Sequence, residues 1–230
     1  MSIDFDQYLR SAFPEKTDAT VIRNVTLAVA LADDLRRNTP WLINEIGDDL
    51  QGNLRRAAAM WRLGQACNDG ELPFSASEIS NKIGSSHLLL IKSGAFEAHV
   101  VRTESSGAFP KDAPIRQDSR VTNEPTLFDD PKVVRIVLVE KDIEKAYAWL
   151  MFNATQIGAL THVCWGMPLP KKNKFLAHFD ILRLAMSKGS PIDPGPPKKL
   201  DPTEKLKFKR AVEEEIERKK SGRKDTNKKG

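Results

Sequence analysis

The stretch His87–Thr103, HLLLIKSGAFEAHVVRT, is where the chain changes its hydrophobic period. Upstream of Gly84, apolar residues recur every three or four positions; downstream they run together or alternate. His87 to Ile91 is a short apolar run, Ser93-Gly94 is a turn pair, and Ala95 to Thr103 is a second arm. The stretch therefore predicts a β-hairpin. In the second arm Phe96, Ala98 and Val100 fall on one face, and Glu97, His99 and Val101 on the other.

Further along, VVRIVLV at Val133–Val139 is β-branched and apolar on both faces, which predicts a central strand. Ala146–Phe152 and Leu160–Trp165 predict two more strands, joined by Asn153–Gly158. Phe175–Met186 reads as a strand that runs into a helix. Between the hairpin and these strands, residues 105–132 carry Pro110, Pro114, Pro125 and Pro131 among scattered charges. An excursion of that length is usually functional or mobile.

Before the hairpin the chain reads as helical. Val21, Val25, Ala28, Ala32 and Leu35 make one apolar stripe between Thr20 and Arg37, and Asn38-Thr39-Pro40 ends it. A second helix is predicted from Trp41 to Asn68, with Leu42, Ile46, Leu50, Leu54, Ala57 and Trp61 on its stripe. Gly47 and Gly52 weaken it, in one piece or two. Ser75 and Glu78 have capping-box spacing, which predicts a short helix to about Ile83. Helices first and neighbouring strands afterwards argue for an α+β fold: N-terminal helices packed on a mainly antiparallel sheet. The division expected is a globular unit over 1–186, a Pro/Gly linker over 187–203, and a charged helix with a disordered basic tail over 204–230. Leu206, Val212 and Ile216 are too few to anchor that helix well.

Charge separates along the same line. The formal net charge is +5, and residues 191–230 hold 13 of the 36 basic and 8 of the 31 acidic residues. Residues 1–190 thus carry 23 of each sign and are neutral overall. A domain that grips many phosphates needs clustered cations, which a balanced body does not suggest. The tail cations Lys205, Lys207, Lys209, Arg210, Lys219, Lys220, Arg223 and Lys224 would contact DNA or RNA weakly and without reading sequence. Glu213–Glu215 and Glu217 interrupt them, and a merely solvated tail is the competing reading.

Cys67 and Cys164 are the two cysteines, a usage that fits a reducing compartment. The acidic start MSIDFDQYLR does not resemble a secretory signal, and no run of about 18 apolar residues occurs. A cytoplasmic location away from membranes is the expectation.

Few residues suggest chemistry. Glu97 and His99 share a strand face and would form a base held by a carboxylate. Arg102, Arg116 and Arg120 would clamp a phosphate or carboxylate with their planar guanidinium groups. Surface salt bridges are the plainer account of the same charges. His162 and Cys164 lie two apart on one strand face, but a buried thiol is the simpler reading. Trp149, Trp165, Phe152 and Phe175 suit core packing better than base stacking. The glycine of Trp165-Gly-Met-Pro-Leu-Pro170 permits close approach of another chain or ligand. No CxxC or HxxxH pair and no phosphate-binding glycine loop occurs, so no metal or cofactor is expected. Nuclease, kinase and hydrolase signatures are missing as well. The function expected is a non-catalytic regulatory or interaction protein. Its body would dock a protein partner or a second copy. The alternative is a nuclease-like or nucleotide-processing enzyme acting on phosphodiesters.

Overall fold

The computed structural model describes residues 4–80, 87–110, 113–123, 145–189, 203 and 207–210. Helix α1, Phe5–Ala12, starts at Asp4, whose carboxylate accepts the amides of Asp6 (3.0 Å) and Gln7 (3.1 Å). Helix α2, Asp18–Arg37, buries Val21, Val25, Ala28 and Ala32, the stripe visible in the sequence. It ends where the Asn38 side chain donates to the Asp34 carbonyl.

Helix α3, Glu45–Asn68, runs unbroken through both glycines. Its start is a 3₁₀ turn, Pro40–Leu42, followed by Asn44, which accepts the Gly47 amide at 3.0 Å. The glycines make room for neighbours. A Cβ on Gly47 would lie 1.8 Å from the Leu42 carbonyl oxygen, and one on Gly52 would lie 1.3 Å from Arg102 Nη1. The stripe of α3 is also incomplete. Ile46, expected among its buried residues, is exposed.

Six strands make one sheet in chain order: β1 Ser75–Ser80, β2 His87–Ser93, β3 Phe96–Arg102, β4 Ala146–Ala154, β5 Leu160–Pro168 and β6 Phe175–Asp180. Every pairing is antiparallel except β3–β4, which runs parallel from Phe96↔Ala146 to Arg102↔Phe152. A parallel neighbour requires the chain to return to its starting edge. The 105–132 excursion lies on that return. Its described part holds helix α4, Pro114–Arg120, and a 3₁₀ turn, Val121–Asn123. Helix α5, Ile181–Ser187, follows β6 directly, with Asp180 accepting the Arg183 amide. The sequence-predicted strand 133–139 lies outside the described residues.

Residues 75–80 are a strand, not the helix that their capping-box spacing predicts. A two-turn helix is marginal by itself. Here the backbone instead pairs with β2 over six positions, from Ser75↔Lys92 to Ser80↔His87.

The sheet has two different faces. Phe96, Ala98, Val100, Ala148, Leu150, Phe152, Val163 and Trp165 join the helices in the main core. Val101, Tyr147, Trp149, Met151 and Cys164 form a smaller core on the other face, with Phe109 and Phe175 packed on it. Strand β4 is thus buried on both sides. The return segment supplies the cover: Phe109 meets Trp149 edge-on at 4.7 Å and Phe175 at 5.0 Å.

The C-terminal segment carries an anchor that the apolar count missed. Residues 207–210 are helical, and Phe208 is 2% exposed within the main core. Its ring lies 5.6 Å from that of Trp61 on α3. Of the tail cations, Lys207, Lys209 and Arg210 are described and exposed. Lys205, Lys219, Lys220, Arg223 and Lys224 lie outside the described residues.

Candidate functional site

The residues that suggest chemistry gather mainly on the face of the sheet away from the helices. Strand alternation puts Glu97 and His99 on that face of β3. Arg102 has the opposite parity and reaches the helix side, where its guanidinium fills the space beside Gly52. The sheet therefore separates Arg102 from His99. Helix α4 brings Arg116 and Arg120 over the His99 face.

His99 is 2% exposed. Its Nδ1 lies 2.7 Å from the Tyr147 hydroxyl, and Trp149 Nε1–H donates to the same oxygen at 3.0 Å. Trp149 donates to the Tyr147 oxygen, and the direction of the Tyr147–His99 Nδ1 bond follows the His99 tautomer. The imidazole Nε2 is buried and has no hydrogen-bond partner among the described residues. Burial, helped by the nearby Arg116 guanidinium, lowers His99 to about 4. Burial also pushes the Tyr147 phenol up, so both groups stay neutral. Glu97 is turned to another partner, Lys92 across the β2–β3 pair at 3.0 Å. The group that orients His99 is a phenol, not a carboxylate.

Arg120 is buried and fully engaged. Its Nε donates to the Leu169 carbonyl at 3.0 Å, its Nη2 to the Lys172 carbonyl at 3.3 Å, and its guanidinium lies 4.9 Å from the Phe109 ring centre. It ties the return segment to the β5–β6 loop. Asn123, three residues on, bridges β4 and β5. Its Nδ2 donates to the carbonyls of Tyr147 (2.8 Å) and Pro168 (2.9 Å), and its Oδ1 accepts the Tyr147 amide (2.7 Å).

His162 and Cys164 share the same face, as their spacing requires. His162 Nε2 lies 2.8 Å from Thr103 Oγ1 and its Nδ1 lies 3.1 Å from Thr161 Oγ1, and burial lowers its pKa. Burial and the nearby Asp180 push the Cys164 thiol up. The pair is a neutral imidazole beside a protonated thiol. Gly166 gives close approach to the chain's own side chains, Met151 and Phe175. Among the described residues no three of His, Cys, Asp and Glu gather to hold a metal ion. No described helix is long and apolar enough to cross a membrane.

The most conspicuous surface feature lies elsewhere. Trp41, Ile43 and Ile46 are 57%, 62% and 64% exposed within six residues at the α2–α3 turn. Ile157, 91% exposed at the β4–β5 turn, shares a small cleft with Arg36, Arg37 and Gln51. The two apolar tips thus sit at one end of the molecule. The sequence did carry a signal for Ile46, a stripe position on α3, but periodicity cannot tell a buried stripe from an uncovered one. The Tyr147 and Asn123 contacts had no sequence signal, because they join residues far apart in the chain.

Scans against protein-family models, curated proteins and solved structures find no match to this chain.

Proposed function

We propose that this protein is a non-catalytic regulatory or interaction protein whose body docks a protein partner. The observation that carries the reading is the exposure of Trp41, Ile43 and Ile46 together on one short segment. Contiguous large apolar side chains in water are a cost that a protein surface usually avoids, and they mark contact sites when they occur. Tryptophan at such a centre is the residue type that most often anchors a partner. The polar groups over the sheet support the same reading. Arg120, Asn123 and His162 spend hydrogen bonds within the fold, and His99 Nδ1 bonds Tyr147. In this account the basic tail adds a weak, salt-sensitive attraction for nucleic acid.

The test compares the full chain with Ile43→Asp/Ile46→Asp in affinity capture from its own host, with circular dichroism as the control for folding. A defined partner retained by the wild type and lost by the double variant supports the reading. The same captured set for both proteins overturns it. The phosphodiester-processing alternative rests on Glu97, His99 and Arg116 alone, since Arg102 lies across the sheet. It requires magnesium-dependent turnover that falls in His99→Ala and Arg116→Ala. DNA and RNA binding by the full chain and by a chain truncated after Arg210, across a salt series, tests the tail. Equal binding by the two would remove its role.

A further inference from the structure

The apolar tip at the α2–α3 turn is held in place by the fold beneath it. Leu42 is 1% exposed, while its two neighbours Trp41 and Ile43 are exposed. Local backbone bonds close the turn: the Leu42 amide donates to the Thr39 carbonyl at 2.9 Å, and the Ile43 amide to the Pro40 carbonyl at 3.2 Å. Gly47 lets the first turn of α3 close onto the Leu42 carbonyl, and Asn44 caps the Gly47 amide. A buried leucine and a capped helix start thus present Trp41, Ile43 and Ile46 together. Surface ordered in advance spares a partner the cost of ordering it.

The charges around this tip are one-sided. Residues 41–50 hold three acids, Glu45, Asp48 and Asp49, and no Lys or Arg. All three acids are exposed. Asp48 is paired with Arg36 of α2. Glu45 and Asp49 have no ion-pair partner among the described residues. They stand four apart on α3, so they share a face and repel each other, and Ile46 is their neighbour on that face. Glu45 is in the first turn, where the helix dipole favours an acid; Asp49 lies beyond that turn. The exposed Arg37 lies on the α2 side, in the cleft with Ile157. The apolar tip is therefore bordered by carboxylates along α3.

Given that a protein partner docks here, as proposed above, we infer that the Trp41–Ile46 tip takes a cationic amphipathic segment of that partner. Its apolar ridge sits on Trp41, Ile43 and Ile46, and a lysine or arginine beside the ridge faces Glu45 and Asp49. Apolar burial holds the segment. The acidic border sets its orientation and turns away acidic segments, because like charges brought together oppose binding.

The probes are two fluorescein-labelled model helices with the same leucine stripe, one carrying lysine and the other glutamate at the remaining positions. Anisotropy is read against the full chain, with circular dichroism of each variant as the folding control. The wild type should bind the lysine helix at least tenfold more tightly than the glutamate helix. The chain's net charge of +5 works against that order, so the preference belongs to the site. Glu45→Lys/Asp49→Lys should reverse it, and Ile43→Ser/Ile46→Ser should lose the lysine helix. Equal binding of both helices, lost in the serine variant, would leave a docking surface standing and overturn its cationic partner. Lysine-helix binding that survives the serine variant, or no binding of either helix, overturns the inference as well. So does a wild-type dimer in sedimentation that the serine variant abolishes, because a second copy would then be the occupant.

Discussion

The Asn123 carboxamide takes the place of a missing backbone partner for Tyr147. The β4–β5 register, with Trp149 opposite Gly166, leaves Tyr147 facing Pro168, which has no N–H to give. Asn123 supplies the donor instead, and accepts the Tyr147 amide in return. Asn123→Ala leaves three buried backbone groups unsatisfied and should destabilise the protein by about 3 kcal/mol. Asn123→Asp should be at least as damaging, because an anion replaces the amide that faces two carbonyls. Urea denaturation of both variants checks this; a loss under about 1 kcal/mol in each would count against the bridging role.

Stability should fall in mild acid through His99. The folded protein holds this imidazole near 4, against an ordinary value of 6.5. Between those values the unfolded chain binds a proton that the folded form does not. Stability is therefore intact above about pH 6.5 and is lost as the pH drops toward 4, by on the order of 3 kcal/mol from this group. Unfolding midpoints measured from pH 7 to pH 4 should show a shallower slope in His99→Gln than in the wild type. Equal slopes would mean that His99 is not held neutral.

Arg55 and Asp33 form a forked ion pair at 2.8 and 2.7 Å between α3 and α2. The same guanidinium donates to the carbonyls of Ala154 and Gln156, so it also fixes the β4–β5 turn. Asp33→Ala strands a buried cation and should cost about 3–5 kcal/mol. Arg55→Lys should recover little of the loss of Arg55→Ala, because one ammonium cannot reproduce four directed bonds. Full recovery by lysine in thermal unfolding would show that charge alone matters.

The two thiols should be silent in the folded protein. Burial pushes Cys67 up to about 11, and burial with Asp180 pushes Cys164 up further. They belong to cores on opposite faces of the sheet and are both free. Ellman's reagent at pH 8 should find neither thiol in the native protein and both in guanidinium. Rapid reaction of either one without denaturant would contradict their placement.

Local periodicity made much of this architecture legible. The α2 stripe, the hairpin at Ser93-Gly94, the strands around Asn153–Gly158 and the strand-to-helix change near Asp180 all follow from spacing of three, four or two. Where the reading failed, the deciding interaction was distant. Ser75–Ser80 obeyed its pairing with β2 over its own capping signal. Gly47 and Gly52, which weaken a helix in isolation, proved to be clearances for Leu42 and Arg102. Phe208 finds its place against Trp61, almost 150 residues earlier. The candidate site was less legible still. Glu97 and His99 were correctly placed on one face by alternation, but what they bond depends on Lys92 and Tyr147.

The proposed docking surface can be probed in place. A benzophenone amino acid at position 43 of the full chain, irradiated in its own host, should give one discrete protein adduct. The same probe at position 183 on α5 should not give it, and Trp41→Asp should abolish it. No adduct at position 43, or the same adduct from both positions, would contradict a partner seated on the Trp41–Ile46 end of the molecule.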